Sequence, residues 1–227
     1  MNAAPTAEQS PLGRMTGLAA VVYASIWPIF LVILFVINPS LGLVSPADLA
    51  NPNALLPALQ AAPAVIVLPG LDMLIGLSLL VVVLTLSTAV RELTPTARAL
   101  FQLATPCGIG AGMLFLVLST NRVYVLPQLA QLYMHEPTLA ATQYALVDQV
   151  YTGLSNALRL MFGLWLIGVN SALLADKCWP RWLAIVGIAL GVLNAGTFIS
   201  VALGFPNLLL MPLWFGCAGW LLLRRRR

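Results

Sequence analysis

Residues 151–174 read YTGLSNALRLMFGLWLIGVNSALL, a stretch that is long and apolar enough to cross a bilayer although it contains Arg159. At about 100° per residue, Thr152, Asn156, Arg159, Gly163 and Asn170 fall within an arc of about 60° on one side of a helix. The rest of the circumference is aliphatic and aromatic. Such a helix turns its polar stripe toward other protein and its apolar surface toward lipid, so this stretch predicts a membrane-spanning bundle.

The composition of the whole chain agrees with this prediction. Hydrophobic residues make up 60% of the 227 residues, charged residues make up 8%, and the mean hydropathy is +0.95. A soluble domain carries about 25% charged residues, so a soluble protein is excluded. The fold class predicted is an all-α polytopic membrane protein, with membrane lipids as partners and no nucleic acid.

Six apolar stretches predict a bundle of six transmembrane helices within a domain at 16–223. A cytoplasmic tail (1–15) precedes it and a basic end (224–227) follows it. The predicted spans are 16–37, 65–90, 99–119, 151–174, 183–203 and 208–223. Pro28 predicts a kink in the first span, and Asn38-Pro39 predicts its end. Residues 38–63 and 123–149 are predicted to be loops, the first with a short helix near Leu55 to Ala62 and the second with an amphipathic surface segment at 138–149.

The distribution of basic residues predicts the orientation of the bundle. One side of the predicted membrane carries nine basic residues: Arg14, Arg91, Arg98, Lys177, Arg181 and Arg224 to Arg227. The other side carries only Arg122. Because cytoplasmic loops are enriched in Lys and Arg, both termini are predicted to be cytoplasmic.

Asp72 and Arg159 are the two charged residues predicted to lie inside the membrane. At about 1.5 Å per residue, Asp72 would lie about 6–10 Å and Arg159 about 10–14 Å below the outer surface. An unpaired arginine at the centre of a membrane helix costs about 2.5–3.5 kcal/mol, so Arg159 should have a partner in Asp72, Asn156 or Asn121. Two interpretations stay open: an ion pair that fixes helix packing, or an outward-facing polar cavity in which Arg159 binds an anionic or polar ligand.

Small residues in the spans predict close helix packing, and tryptophans near span ends predict contacts with the membrane interface. The packing glycines are Gly108, Gly110, Gly112, Gly163, Gly187 and Gly191. Asn170 and Asn194 are predicted to form hydrogen bonds between helices. Trp179, Trp182 and Trp214 are predicted to be interfacial anchors.

Few residues offer enzyme chemistry. His135 is the only histidine and falls in a predicted loop, while Lys177 is the only lysine and falls in a cytoplasmic turn. These positions leave no intramembrane Ser–His dyad, no retinal-binding lysine and no His-based metal site. No catalytic residue, metal or cofactor is therefore predicted, and the chain is more consistent with a protein that is not an enzyme.

Three segments resemble an uncharacterised bacterial family of six-span proteins, the domain of unknown function 4386. They are GLAAVVYASIWPIF at the start of the first span, YTGLSNALRLMFGLWLIG around Arg159, and PRWLAIVGIALGV before a last span with a basic end. The resemblance implies six helices in the bacterial cytoplasmic (inner) membrane and supplies no catalytic residues.

These observations favour a ligand-binding or transport-like module centred on Arg159 and Asp72. The alternative is an accessory subunit of a larger membrane complex, or a homo-oligomer, in which the two charges only hold the helices together. The sequence does not identify the ligand.

Overall fold

A computed structural model of the chain describes residues 11–43, 45–61, 67–89, 93–197 and 199–224. Every regular element in these ranges is helical, which confirms the all-α prediction. Four helices are long and apolar enough to cross a membrane: Pro11–Ser40, Pro95–His135, Pro137–Ala175 and Pro206–Arg224. Gly70–Leu86 and Arg181–Gly196 are shorter apolar helices.

The bounds of the helices differ from those of the predicted spans. They are α1 (Pro11–Val32), α2 (Asn38–Ser40), α3 (Pro46–Ala50), α4 (Pro52–Ala61), α5 (Val67–Ala89), α6 (Pro95–His135), α7 (Pro137–Ala175), α8 (Arg181–Gly196) and α9 (Phe205–Arg224). The fifth predicted span reaches residue 203, but α8 ends at Gly196. There the Thr197 hydroxyl donates to the carbonyl of Asn194 at 2.6 Å and satisfies one of the terminal acceptors of the helix.

The first helix does not stop at Asn38-Pro39, so that prediction was wrong. A π-helical segment (Ile33–Ile37) continues α1 into α2, and the backbone N–H of Asn38 donates to the carbonyl of Ile33, five residues earlier. In a regular α-helix the ring of Pro39 would clash with a carbonyl of the preceding turn. The wider π turn lies directly before this proline, which is how the helix passes it.

Residues 123–149 are helical rather than a loop, which corrects a second prediction. Helix α6 runs on to His135, and α7 begins at Pro137. Helix α4 packs against this extension and buries Leu56, Leu59, Leu129 and Tyr144 in a small core of its own. The Gln60 side chain also donates to the carbonyl of Ala130 at 2.8 Å. We call α4 together with residues 123–149 the cap.

The six apolar helices form a closed ring in chain order. Helix α1 contacts α5, and α5 contacts α6. In the same way α6 contacts α7, α7 contacts α8 and α8 contacts α9, and α9 closes the ring by contacting α1. The middle of the ring holds stacked aromatic side chains. The centre of the Phe215 ring lies 3.9 Å from the centre of the Tyr23 ring and 6.4 Å from that of Trp165. Trp165 and Phe215 are fully buried.

The predicted packing glycines lie where helices approach each other. A Cβ on Gly163 would lie 2.6 Å from the carbonyl oxygen of Gly191, and one on Gly191 would lie 2.8 Å from that of Gly163, so α7 and α8 touch through their backbones. Gly187 lies against Asn170 in the same interface. The three glycines of α6 also lie at close helix contacts. A Cβ on Gly108 would meet the side chains of Trp165 and Val83, one on Gly110 would meet Met161, and one on Gly112 would meet Leu80.

Two of the three predicted interfacial tryptophans are buried. Trp179 and Trp214 have 4% and 2% of their surface exposed, whereas Trp182 is 58% exposed. The indole N–H of Trp214 donates to the carbonyl of Leu183 at 3.0 Å. Trp214 therefore fastens α9 to the start of α8, and the interfacial assignment was wrong for Trp179 and Trp214.

Candidate functional site

A cavity of about 320 Å³ lies inside the ring, and all six ring helices line it. Its lining residues with polar side-chain atoms are Tyr23, Trp27, Asp72, Ser119, Arg122, Tyr151, Ser155, Arg159, Asn194, Thr197 and Asn207. We call it the central cavity. Its residues come from the C-terminal parts of α1 and α8, the N-terminal parts of α5 and α9, and the middle of the longer helices α6 and α7. The cavity therefore lies toward one end of the ring, here called the cavity end.

The structure brings Asp72 and Arg159 to the same cavity, as the sequence suggested. Among the described residues, however, no contact within 4.0 Å pairs these two charges. Arg159 is only half-buried, and no hydrogen bond or ion pair of its guanidinium is found among the described residues. The two residues thus face a shared space rather than each other, which leaves the Arg159 guanidinium open to a ligand.

Arg122 is a lining residue that the sequence analysis missed. Its guanidinium carbon lies 3.9 Å from the centre of the Tyr151 ring, a cation–π contact between α6 and α7. Its charge also interacts with the carboxylate of Asp72. Treating residues 123–149 as a loop had placed Arg122 outside the bundle. The helical spacing of Leu118, Arg122, Val125 and Leu129, at i, i+4, i+7 and i+11, is a signal that could have revealed it.

The two asparagines predicted to join Arg159 are not in the central cavity. Asn121 is exposed, and its side-chain amide donates to the carbonyl of Val117 in its own helix at 3.4 Å. Asn156 is half-buried and is not among the residues lining the central cavity. Helix rotation explains both positions, because a residue at the edge of a predicted stripe can point past the cavity toward a neighbouring helix.

The stripe on α7 is divided between two roles along its length. Arg159 lines the central cavity, whereas Gly163 and Asn170 are buried against α8. The amide of Asn170 donates to the carbonyl of Leu166 in its own helix at 2.8 Å. Of the two asparagines predicted to bond between helices, Asn194 does so: its side-chain oxygen accepts from the side-chain amide of Asn207 at 3.4 Å.

One buried polar atom in the central cavity has no hydrogen-bond partner among the described residues, the side-chain oxygen of Asn207. The indole of Trp27 lies beside the Tyr23 side chain, which interacts with it. Leaving a buried donor or acceptor unsatisfied costs about 1–3 kcal/mol. One acceptor is therefore available to a bound molecule, in addition to the Arg159 guanidinium.

A second cavity of about 370 Å³ lies between the ring and the cap, and we call it the cap cavity. It shares five lining residues with the central cavity: Phe30, Asp72, Leu118, Arg122 and Tyr151. Asn121 lines the cap cavity. The charged residues Asp72 and Arg122 thus lie in the layer where the two spaces meet.

Comparison of the chain with known protein families, with characterised proteins and with solved structures finds no match. The resemblance to a six-span family therefore stays a prediction.

Proposed function

We propose that the chain is an integral protein of the bacterial cytoplasmic membrane that crosses it six times, with both termini in the cytoplasm. The closed ring of six apolar helices supports this topology, and so does the distribution of basic residues, nine of which fall on one side of the predicted membrane. Helix α6 has 41 residues and is about 60 Å long, about twice the thickness of the hydrocarbon core. In this orientation the α6–α7 hairpin extends beyond the outer surface and carries the cap.

The function we propose is the binding of a small anionic ligand, with a carboxylate or phosphate group, in the central cavity. The observation that carries the proposal is Arg159, a cation that lines the central cavity without a paired carboxylate among the described residues. With Arg122 also present and Asp72 as the one described carboxylate in the lining, the cavity has an excess of positive charge. Arginine is suited to this role because its planar guanidinium binds carboxylate and phosphate groups through two hydrogen bonds.

The neutral groups of the cavity favour a ligand that is polar elsewhere as well. The side-chain oxygen of Asn207, which has no partner among the described residues, matches a hydrogen-bond donor on the ligand. Both a receptor-like and a transport-like protein need such a site, so the proposal covers the binding step that the two have in common.

The proposal is tested by ligand-dependent stability. The full chain in lipid nanodiscs is heated with a panel of carboxylates and phosphates, and the apparent unfolding temperature is measured. A ligand at 100 times its Kd stabilises the folded state by about 2.7 kcal/mol, which is readily detected. We expect Arg159→Gln to abolish this response, while Arg98→Gln, at an exposed position on α6, should retain it. A wild-type protein that no anion stabilises, or an Arg159→Gln variant that responds normally, would overturn the proposal.

The accessory-subunit alternative predicts a different result. Purification in mild detergent followed by mass spectrometry would then yield a second protein in stoichiometric amount. The same measurement would reveal a homo-oligomer by its mass.

A further inference from the structure

The lining of the cap cavity is mainly aliphatic, in contrast to that of the central cavity. Its aliphatic residues come from the cap, the π-helical segment after α1, α6 and α7, and they include Leu34, Leu59, Val125, Leu126, Val147 and Leu154. Such a surface is complementary to a hydrocarbon chain and offers little to a small, strongly hydrated molecule.

Asn38 places an unsatisfied amide in this apolar lining. The residue is 1% exposed, and neither its side-chain oxygen nor its side-chain nitrogen has a hydrogen-bond partner among the described residues. A buried polar group without a partner is rare in folded proteins and calls for an explanation. An amide both donates and accepts, so a ligand group that does the same, such as a hydroxyl or an amide, would satisfy it.

The charges of the cap cavity disfavour an anion. Its described charged lining residues are Asp72, Asp148 and Arg122, two carboxylates and one guanidinium. Arg122 is in addition in contact with the Tyr151 ring. A carboxylate or phosphate on the ligand would meet a surplus of negative charge here, whereas the central cavity has a surplus of positive charge.

The cavity reaches the apolar outer surface of α7. Leu146 and Val150 line it, yet they are 62% and 63% exposed. They lie one turn apart on the same side of the helix, so they form an apolar rim at the surface of the protein. These two side chains offer an apolar edge to a ligand that enters the cavity from this side of the protein.

We propose that the cap cavity is a binding site for an uncharged, lipid-like amphiphile. A hydroxyl- or amide-bearing polar end bonds to Asn38, and a hydrocarbon chain lies along the aliphatic residues of α6 and α7. This site is separate from the anion site proposed for the central cavity and does not depend on it.

The experiment uses the full chain in lipid nanodiscs and a monoacylglycerol with a photoreactive diazirine in its acyl chain. Labelled positions are mapped by peptide mass spectrometry. We expect saturable labelling within 118–126 and 146–154. Unlabelled monoacylglycerol should compete, the matching fatty acid should compete about tenfold less well because of its charge, and glycerol should not compete.

Matched variants locate the polar contact. Asn38→Leu should weaken competition by monoacylglycerol about fivefold, the loss expected for one hydrogen bond, while Gln102→Leu, at an exposed position on α6, should leave it unchanged. If Asn38→Leu does not fold, Val147→Trp fills the cavity from another helix and should abolish the saturable labelling. Equal competition by the fatty acid, or labelling concentrated on exposed residues of α1 such as Leu18 and Val22 regardless of competitor, would overturn the proposal. Loss of anion binding by Arg159→Gln has no bearing on these outcomes.

Discussion

The two ends of the helical ring are built differently. The end opposite the central cavity, here called the filled end, buries Phe101, Leu173 and Leu183 against one another. Two of its polar contacts hold helix ends together: the Thr16 and Thr85 hydroxyls lie 2.7 Å apart, and the Asp176 carboxylate accepts from the backbone N–H of Thr94 at 2.8 Å. Its unsatisfied buried atoms, the Asn170 side-chain oxygen and the Trp179 indole nitrogen, line neither of the two cavities described above. At the cavity end, by contrast, the unsatisfied side-chain atoms of Asn38 and Asn207 line the cavities, together with the charged residues Asp72, Arg122 and Arg159.

This contrast indicates that stability and binding are separated along the axis of the bundle. Polar and charged groups that line a cavity can be satisfied by a ligand, whereas those enclosed in a packed core cannot. Substitutions at the filled end should therefore lower the free energy of unfolding, while those at the cavity end should mainly affect ligands. The four predictions below test this separation.

The largest effect is expected for Trp165→Ala, in the middle of the aromatic core. Removing this fully buried ring leaves a cavity, and the free energy of unfolding should fall by about 3–5 kcal/mol. Titration with a denaturing detergent, followed by circular dichroism, measures the change. Trp220→Ala is the control, because Trp220 is 54% exposed and should cost far less. Equal losses for the two variants would contradict the assignment of the core.

The next effect is expected for Gly163→Val, where α7 and α8 touch through their backbones. A Cβ here meets the carbonyl of Gly191 at 2.6 Å, so the helices must separate, at a cost of about 1–3 kcal/mol. Gly153→Val, on the same helix, is a matched control because a Cβ there meets nothing within 4 Å. The same titration should show a loss at Gly163 well above that at Gly153, and the reverse order would refute the interface.

A smaller loss is expected for Asp176→Ala at the filled end. The Asp176 carboxylate accepts hydrogen bonds from the backbone and the hydroxyl of Thr94, and these bonds hold the start of α6 to the end of α7. Because the site is near the surface, we expect a loss of about 1 kcal/mol. Glu136→Ala, at the tip of the hairpin, serves as the comparison, because the Glu136 side chain does not cap the helix that follows it. If Glu136→Ala proves the more damaging variant, the filled end is not where the polar contacts stabilise the fold.

The smallest effect on stability is expected for Arg159→Gln at the cavity end. Since no ion pair of Arg159 is found in the described part of the chain, the free energy of unfolding should stay within about 0.5 kcal/mol of the wild-type value. A large drop in folding yield or unfolding free energy would instead show that Arg159 is architectural.

The sequence predicted the apolar helices well because their signal is local. Long runs of Leu, Val and Ile around residues such as Leu79 and Leu166 indicate burial or lipid contact whatever their neighbours are. The glycines at 163, 187 and 191 were also visible, because their spacing on a helix face is set by the helix itself.

The sequence could not predict contacts that depend on how helices rotate against one another. Arg122 and Arg159 both line the central cavity, but only the packing of α6 on α7 shows that Arg122 lies over Tyr151. The polar residues of 123–149 hid the continuation of α6 to His135 and the start of α7 at Pro137, because hydropathy fell there while the helical spacing persisted. Asn38 looked like the end of a helix and is instead a buried residue of the cap cavity.

The order of contacts around the ring has a consequence for biosynthesis. Each new helix can dock on the one made just before it, so most of the bundle can assemble while the chain is still being translated. In the described part of the chain, the contact of α9 with α1 is the one that closes the ring, and it comes last. Until then the side of α1 that carries Tyr23 has no Phe215 to stack on, so a nascent or truncated chain offers this surface to an identical neighbour.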